Sequence, residues 1–379
     1  MNQSVLIARQ IEQGRGPDAG VVERVVSAET ARLGSEGVAA AREALASDVL
    51  GLGPLEPCLT DPTVTDVLVN GDGSIWVDRG GGLHVWPNRL PDAAAARRLA
   101  VRLAGLAGRR LDESQPWVDG LLPGGVRLHA VLPPLVDGGA HVSLRVPRVR
   151  APGLPALGAG GMFSGEVERL LRALVLRRRS FVVTGGTGSG KTTLLAAMLA
   201  EVPPSERIVV VEDVRELAVQ HPHVVRLQGR GANVEGRGAV TLVDLVRQAL
   251  RMRPDRLVVG EVRGPEVREM LAALNTGHEG GCGTVHANTP ADLPARFEAL
   301  GALAGLGREA VHAQLSSAVQ VAVHVERGTS GRVVASLSTV VRDELGHAAV
   351  RCVPALDAHS GECGPGWPAL ARILDETRW

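Results

Sequence analysis

The stretch SFVVTGGTGSGKTTLLAAMLAEV, residues 180–202, decides the fold. It begins with an apolar run typical of a strand, passes through a glycine-rich loop and ends in a run of helix-forming residues. Within it, Gly185, four intervening residues and Gly190-Lys191-Thr192 match the P-loop pattern, and they lie in the strand–loop–helix context that this pattern requires. Glycines let backbone N–H groups turn toward phosphate oxygens at the positive end of a helix. The stretch therefore predicts a nucleoside triphosphate site.

Lys191 is the only lysine among the 41 Lys and Arg residues of the chain. A chain that uses arginine everywhere else keeps a compact ammonium at this one position. We expect Lys191 to bind the β and γ phosphates of ATP, and the hydroxyl of Thr192 to bind Mg²⁺. Further contacts to the phosphates are expected from the rest of the loop, which comprises Gly185, Gly186, Thr187, Gly188, Ser189, Gly190 and Thr193.

Strand-like and helix-like patterns alternate along this part of the chain. Strands are predicted at 180–185, 208–213, 223–227, 256–262 and 281–288, and helices at 192–202, 242–252 and 265–275. Several of the strand runs are almost wholly apolar, as strands buried on both faces of a parallel sheet should be. The alternation predicts an α/β fold with a mostly parallel, doubly wound sheet. Two further runs, 319–327 and 332–343, predict a β-hairpin near its end.

The sequence pattern divides the rest of the chain into predicted segments. Residues 1–50 are predicted to be helical, and residues 51–150 combine short β-like runs with one longer helix, which predicts a smaller α+β domain of PAS-like type. Residues 151–165 are rich in Gly and Pro and are interpreted as a linker that would act as a hinge. The α/β domain is predicted to span 166–345, followed by a tail, 346–379, that carries little signal.

Two predicted strands carry acidic residues near their ends. The run RIVVVED, 207–213, ends in Glu212 and Asp213, and RLVVGEV, 256–262, contains Glu261 in the layout of a Walker B strand with Glu in place of Asp. The carboxyl ends of parallel strands are where an α/β sheet presents its ligand site. A carboxylate at Glu212 could orient or deprotonate a water molecule, or it could instead cap the next segment. Glu261 could hold Mg²⁺, directly or through water.

Two histidines lie in NTGHEGGCGTVHAN, residues 275–288. His278 and His286 are eight residues apart, and this separation does not suit a paired zinc site on a helix. One interpretation is a polar loop with one buried histidine. The other is a sensor of the γ phosphate, because a strand beside the Walker B strand ends near the nucleotide in this kind of fold.

Composition narrows the range of partners. The formal net charge is zero, the pI is about 7.2 and aromatic residues make up 2% of the chain, so direct binding of nucleic acid is not expected. The four cysteines lack C-x-x-C spacing, which fits a reducing cytoplasm better than a disulfide framework. No signal-peptide pattern and no apolar run of the ~18 residues needed to span a membrane is found. We expect a cytoplasmic protein whose membrane association is peripheral and mediated by partners.

The motifs and their order resemble a known family. The P-loop, the acidic segment after it, GEVRG and TGHEGG…TVHAN are similar to those of the secretion ATPases of type II and type IV systems. Segments 50–71, 110–134 and 250–280 resemble the Flp or tight-adherence pilus branch, called TadA or CpaF, and more distantly the conjugation ATPase VirB11. The resemblance covers about residues 45–340. It implies a RecA-like P-loop NTPase domain that hydrolyses ATP with Mg²⁺, preceded by a smaller α+β domain.

The resemblance also implies roles for individual residues. Glu212 falls at the position of the candidate general base, with Glu216 as a weaker candidate. Glu261 falls at the Walker B glutamate that organises Mg²⁺ and water. His286 falls at the position that senses the state of the nucleotide, and His278 at the first histidine of the same box.

In the N-terminal domain, Arg127 and Arg145 match arginines that reach toward the phosphates and would stabilise charge on the transferred phosphoryl group. Members of the family form homo-hexameric rings that couple ATP hydrolysis to motion between the domains. They act on an inner-membrane platform protein and, through it, on pilin, from the cytoplasmic face of the membrane. The sequence departs from the family at Gly281-Cys282, where Ser-Leu is usual, and the departure predicts a looser turn after His278.

Two alternatives remain. A VirB11-like ATPase of conjugation or effector secretion would have the same chemistry and a different cargo. A regulatory scaffold would bind ATP and hardly hydrolyse it, although two retained acids, Glu212 and Glu261, favour hydrolysis. A transporter ATPase would require an LSGGQ-like signature, which the sequence lacks.

Overall fold

The computed structural model describes residues 52–146, 151–231, 237–328, 331–342 and 349–375. The chain divides into two compact units, Met1–Arg148 and Val149–Trp379. Each unit has hydrophobic clusters made only of its own residues. The predicted helical segment 1–50 lies outside the described residues.

The N-terminal unit is an antiparallel sheet with a helix on one face. Its elements are α1 (Glu56–Thr60), β1 (Asp66–Val69), β2 (Ile75–Asp78), β3 (Leu83–Val85), α2 (Ala93–Leu106), β4 (Trp117–Leu121), β5 (Arg127–Val131) and β6 (His141–Arg145). The strand order is β3-β2-β1-β6-β5-β4. Alternate residues of β1, β2, β5 and β6 are buried, as in a sheet with one covered face. The predicted α+β architecture is confirmed.

The C-terminal unit is built on an eight-stranded sheet. Its helices are α3 (Leu154–Ala159), α4 (Gly165–Leu176), α5 (Lys191–Leu199), α6 (Leu242–Ala249), α7 (Val267–Asn275), α8 (Leu293–Leu303), α9 (Arg308–Ala318) and α10 (Trp367–Ile373). Its strands are β7 (Phe181–Thr184), β8 (Ile208–Glu212), β9 (Val224–Gln228), β10 (Arg256–Val262), β11 (Cys282–Val285), β12 (Val321–Gly328), β13 (Gly331–Arg342) and β14 (Val350–Asp357).

The strand order of this sheet is β14-β13-β12-β7-β11-β10-β8-β9. The six strands from β12 to β9 run parallel, and β13 and β14 add an antiparallel edge. Along β8, Ile208 and Val210 belong to one hydrophobic cluster and Val209 and Val211 to the other, so both faces of the strand are buried. Helices α4 and α5 contribute to the first cluster, and α6 to α9 contribute to the second. The predicted doubly wound α/β sheet and its hairpin, β12–β13, are confirmed.

The segment 151–165 is not the linker that its Gly and Pro content predicted. It contains α3, and the side chains of Leu154, Met162 and Phe163 are buried in the core of the C-terminal unit. The backbone N–H of Val334 on β13 also donates to the carbonyl of Met162, 2.8 Å away. The Gly and Pro residues here mark the two ends of a short helix, so the hinge expected within 151–165 does not fit a segment packed in this way.

The predicted tail, 346–379, also contributes to the fold. Strand β14 extends the sheet beside β13, and Trp367 and Leu370 of α10 are buried in the same cluster as α4 and α5. Within the described ranges, no helix combines the length and the apolar character that crossing a membrane would require.

Candidate active site

The glycine-rich loop joins a fully buried strand to a helix. All four residues of β7 are buried, and α5 begins at Lys191, directly after the loop. Gly188 and Gly190 have φ angles of 72° and 100°, which favour glycine over residues with a Cβ. Gly190 occupies the N-cap position of α5. Among the described residues, no side chain accepts a capping hydrogen bond from the first turn of this helix. The N–H groups of that turn can therefore serve an anion at the positive end of the helix.

The side chain of Lys191 lies inside this loop. Its Nζ donates to the carbonyl oxygens of Gly185, at 2.9 Å, and Gly186, at 2.7 Å, and the residue is only 6% exposed. Burial lowers the pKa of Lys191, whereas the negative charges of Glu261 and Glu216 act in the opposite direction. The ammonium group of Lys191 is thus held by two carbonyl oxygens of the loop itself.

Other polar groups of the loop are positioned around Lys191. The Oγ of Ser189 is buried and has no hydrogen-bond partner among the described residues. Thr192 and Thr193 follow Lys191 in the first turn of α5 and are half-buried. A buried hydroxyl without a partner is uncommon in folded proteins and fits a site that a polar ligand completes.

Glu261 is placed by an irregularity between two strands. Val259 pairs with Gly283 and Val262 with Val285, so β10 has one more residue than β11 over this interval. Bulges of this kind redirect a side chain next to functional sites. The Oγ1 of Thr284 donates to the carbonyl of Gly260, 2.7 Å away. This hydrogen bond gives the Gly260 carbonyl a partner at the bulge, where the regular pairing of the two strands is interrupted.

Glu261 pairs with the second predicted histidine. The Nε2 of His286 lies 2.7 Å from the Oε1 of Glu261, and both side chains are half-buried, with 37% and 41% exposure. Burial and then the positive charge of Lys191 lower the pKa of His286, while Glu261 opposes them. Three of the predicted residues, Lys191, Glu261 and His286, therefore belong to one electrostatic cluster at the carboxyl edge of the sheet.

Glu212 lies at the end of β8 and is 4% exposed. Its Oε1 accepts the backbone N–H groups of Glu216 and Leu217, both at 2.9 Å, while its buried Oε2 has no hydrogen-bond partner among the described residues. A Cβ at Gly260, on the next strand, would lie 2.5 Å from the Cγ of Glu212. The capping arrangement is thus present, and a role for Glu212 as general base stays a prediction that depends on Oε2.

His278 lies at the opposite edge of the sheet from His286. Strand β11, Cys282–Val285, separates the two histidines, and His278 precedes its first residue. The Nδ1 of His278 is 3.2 Å from the carbonyl of Ala273 at the end of α7. His278 therefore contacts the C-terminal end of α7 and does not belong to the cluster around Lys191.

The turn after His278 is tightly packed, contrary to the looser turn predicted from Gly281-Cys282. A Cβ at Gly281 would lie 2.2 Å from the Cδ2 of Leu274, so a larger residue has no space there. Cys282 is 1% exposed, and burial raises the pKa of its thiol to about 12.

Arg127 and Arg145 belong to the N-terminal unit. They are direct register partners on β5 and β6, and Arg145 also lies opposite Asp66 on β1. Their predicted role at the phosphates stays a prediction.

Two residues of the β12–β13 hairpin contact the loop or its strand and were not predicted. The Nδ1 of His324, which is 1% exposed, lies 2.8 Å from the Oγ1 of Thr184, the last residue of β7. The Nε of Arg332 donates to the carbonyl of Gly188 at 2.9 Å. The hairpin itself was visible as two β-like runs, but its position beside β7 depends on the strand order, for which the sequence holds no local signal.

Together, the parallel sheet, the loop with its lysine and the acidic strand end define a RecA-like P-loop NTPase domain behind a smaller α+β domain. The chain belongs to the family described as "Type II/IV secretion system protein", whose pattern matches residues 48–343.

Similar proteins support this assignment. The chain is 58% identical over 306 residues to a protein of Mycobacterium tuberculosis (strain ATCC 25618 / H37Rv) named "Putative conjugal transfer protein", covering 79% of this chain and 87% of the relative. It is 33% identical over 279 residues to the conjugal transfer protein TrbB of Rhizobium radiobacter, covering 72% and 83%. It is 30% identical over 309 residues to the type IV secretion system protein VirB11 of Brucella suis, covering 73% and 85%.

Two solved structures share the fold. The pilus retraction motor PilT with bound ADP matches with a TM-score of 0.53 at 24% identity, over 76% of this chain and 82% of PilT. The ATPase DotB of Legionella pneumophila matches with a TM-score of 0.52 at 20% identity, over 76% and 79%.

Proposed function

We propose that this chain is an ATP hydrolase that acts as a motor subunit of a secretion or pilus machine. One observation carries the proposal. Lys191, the only lysine of the chain, lies inside the glycine loop, and its charge interacts with those of Glu261 and His286. Sites that transfer phosphoryl groups act mainly by positioning and by neutralising charge, and this cluster supplies both.

In the proposed binding step, phosphate oxygens take the place of the carbonyls of Gly185 and Gly186 as partners of Lys191. The loop N–H groups, the Ser189 hydroxyl and the first turn of α5 complete the phosphate contacts. Mg²⁺ is normally held by one or two protein oxygens together with phosphates and water, and Thr192 and Glu261 fit that donor set. The bound ion would neutralise charge that develops on the transferred phosphoryl group.

The lowered pKa of His286 keeps its imidazole largely neutral at pH 7. Its Nε2–H then donates to Glu261, and the partner of this bond fixes the tautomer. A γ phosphate that drew Lys191 toward itself, or a Mg²⁺ ion that drew Glu261, would alter the pair of Glu261 and His286, so His286 is suited to sense the state of the nucleotide.

Glu212 is the candidate for activating the attacking water, with Glu216 as the weaker candidate. Burial raises the pKa of Glu212, which makes its carboxylate a stronger base than an exposed glutamate. Its Oε2 is the atom left for a water molecule. Glu261 already accepts a hydrogen bond from His286, which fits better with organising Mg²⁺ and water.

The test is phosphate release combined with light-scattering mass, with and without ATP and Mg²⁺. Relative to wild type, Lys191→Ala and Glu261→Gln should each lower hydrolysis by about 100-fold or more. The first removes the positive charge that binds the phosphates, and the second removes the carboxylate that organises Mg²⁺ and water. Lys191→Arg is the matched control for charge, and it should fail as well, because a planar guanidinium does not replace the compact ammonium.

Hydrolysis by Lys191→Ala near the wild-type rate would contradict the chemical assignment. Absence of hydrolysis in the wild type, with nucleotide binding retained, would favour the regulatory scaffold. A mass near six times 39.6 kDa would support the homo-hexamer implied by the resemblance, in which Arg127 and Arg145 serve the phosphates and hydrolysis drives motion between domains.

For the machine that this ATPase serves, we propose assembly of a Flp or tight-adherence pilus, at the cytoplasmic face of the inner membrane. Segments 50–71, 110–134 and 250–280 support it through their resemblance to that branch. An inner-membrane platform protein would be the direct partner and pilin the indirect one. The names of TrbB and of the mycobacterial relative favour conjugal transfer as the second candidate.

The gene neighbourhood and a deletion strain separate the two machines. Neighbouring genes for small pilins and a platform membrane protein, with loss of pili on deletion, would support pilus assembly. A neighbouring relaxase and coupling protein, with loss of plasmid transfer, would support conjugation. Complementation with Glu261→Gln tests whether the phenotype requires hydrolysis.

A further inference from the structure

The β12–β13 hairpin lies directly against the outer surface of the glycine loop. Strand β12 pairs in parallel with β7 up to the register pair His324 and Thr184, and it then continues beside the loop. A Cβ at Gly185 would lie 2.1 Å from the carbonyl oxygen of Val325, so the backbones of the loop and the hairpin touch. The loop is therefore supported by a part of the chain that follows it by more than a hundred residues.

Arg332 on β13 adds a side-chain hydrogen bond to this contact between the hairpin and the loop. Its Nε donates to the carbonyl of Gly188 at 2.9 Å. Its Cδ lies 3.1 Å from the position that a Cβ at Gly190 would occupy, so the aliphatic stem packs on the same side of the loop. Gly188 and Gly190 both have positive φ angles and lie directly before α5, so Arg332 contacts the part of the loop that turns into the helix.

We infer that Arg332 is a positioning residue for the nucleotide-binding loop, an inference that rests on the proposed function. In a trans peptide the carbonyl and the following N–H point in opposite directions. The Ser189 N–H, on the other side of this peptide, donates to the carbonyl of Gly186 at 3.4 Å, and Lys191 contacts the same carbonyl. By holding the Gly188 carbonyl toward the hairpin, Arg332 fixes the peptide between Gly188 and Ser189 and so supports the inner turn of the loop around Lys191. A charged donor makes this bond stronger than one between neutral groups.

The guanidinium also places a positive charge beside an anion-binding loop. Arg332 thus acts on nucleotide binding in two ways, through the orientation of one peptide and through its field. Both effects are present in the ground state and in the transition state, so they change KM more than kcat.

The hairpin offers a matched control. Arg327 on β12 is the register partner of Arg332, it has the same charge, and its side chain is exposed. The test compares wild type with three variants, Arg332→Gln, Arg332→Lys and Arg327→Gln. For each protein we would measure the affinity for a fluorescent ADP analogue, steady-state ATP hydrolysis, and thermal unfolding with and without ADP.

We expect Arg332→Gln to weaken ADP binding and to raise KM by about tenfold, with kcat within about twofold of wild type, which is the effect of losing one hydrogen bond from a charged donor. Arg332→Lys should recover part of the loss, because its ammonium can still donate to a carbonyl. Arg327→Gln should match wild type. Without ADP, the unfolding temperatures should be similar, while the increase caused by ADP should shrink in Arg332→Gln.

Wild-type affinity and KM in Arg332→Gln would overturn the inference while the proposed function stands. An equal loss in Arg327→Gln would also overturn it, because the effect would then belong to the charge of the hairpin tip. Lower stability of Arg332→Gln without ADP, with no rescue by lysine, would reassign Arg332 to general stability. A wild type that bound no ADP would reject the inference and the proposed function together.

Discussion

At the end of β8, two opposing effects act on the carboxyl group of Glu212. Two backbone N–H groups donate to Oε1 and favour the charged form, whereas burial favours the neutral form. Burial is the larger effect, so the pKa of Glu212 is raised. The same residue can therefore stabilise a turn and offer a strong base.

A raised pKa makes stability depend on pH in a defined direction. The folded chain binds the proton of Glu212 more tightly than the unfolded chain, whose pKa stays near the ordinary value of 4.5. From 4.5 up to the raised pKa, the contribution of Glu212 to stability falls as pH rises, and above that window it is constant. We expect the free energy of unfolding of wild type, minus that of Glu212→Gln, to fall across this window.

Urea unfolding of the two proteins from about pH 4 to 8 measures this difference, because the other titrating groups cancel in the subtraction. A difference that increased with pH would show that the two N–H donors outweigh burial, and a constant difference would show that the two effects cancel.

At the scale of the elements, a buried ion pair joins β10 to its neighbours at the edge opposite the glycine loop. Arg256, the first residue of β10, is 1% exposed. Its Nε donates to Glu206 at 2.6 Å and its Nη2 to the carbonyl of Val175 near the end of α4, at 2.9 Å. Without Arg256, Glu206 would keep Arg178, whose Nη2 lies 3.3 Å away, as an ion-pair partner, whereas the carbonyl of Val175 would lose its donor.

Arg256→Ala should lower the free energy of unfolding by about 2–3 kcal/mol, because it removes a charged donor from Glu206 and from the buried carbonyl of Val175. Arg247, whose Nη2 lies 2.7 Å from Glu269, is the control, because its side chain is 59% exposed. Arg247→Ala should cost under about 1 kcal/mol, since solvent screens an exposed pair. Urea unfolding checks both values, and equal costs would contradict the assignment of Arg256 as a structural anchor.

The elements also show which parts of the fold and site could be predicted. Lys191, Glu261 and His286 were predicted because each lies in a local pattern, and a parallel sheet brings strand ends together at one edge. The structure places these three in one cluster. Arg332 and His324 could not be predicted, because their contacts depend on β12 lying beside β7.

The segment 151–165 shows a second limit of sequence patterns. Glycine and proline mark the ends of helices as well as flexible linkers, and composition alone does not separate the two. Burial of Leu154, Met162 and Phe163 separates them, and it follows from tertiary packing. In the same way, the sequence of β4, WVDGL, gives little sign of a strand, because it is short and contains Asp and Gly.

At the scale of the whole molecule, each hydrophobic cluster found among the described residues belongs to a single unit. The two clusters of the C-terminal unit contain only residues from Ala151 onward, and the cluster of the N-terminal unit lies between Leu52 and Val146. A unit with its own core can fold without the other.

A fragment of residues 149–379 should therefore fold alone and unfold cooperatively in urea, with helix and strand signals in circular dichroism. It should bind ADP more weakly than the full chain if Arg127 and Arg145 act at the phosphates, and the fragment 1–148 should bind none. A fragment 149–379 without a cooperative transition, beside a full chain that has one, would contradict the independence of the two cores.

The position of β12 beside β7 has a consequence for synthesis on the ribosome. Strand β7 and the glycine loop emerge early, but the strand that covers one side of β7 and the arginine that holds Gly188 emerge more than a hundred residues later. Until then β7 is an unpaired sheet edge, which is the kind of surface that recruits other chains. A nascent chain released before β12 would expose that edge, and one released before β13 would lack the contact between Arg332 and the loop. Nucleotide binding would then report that translation has reached the C-terminal hairpin.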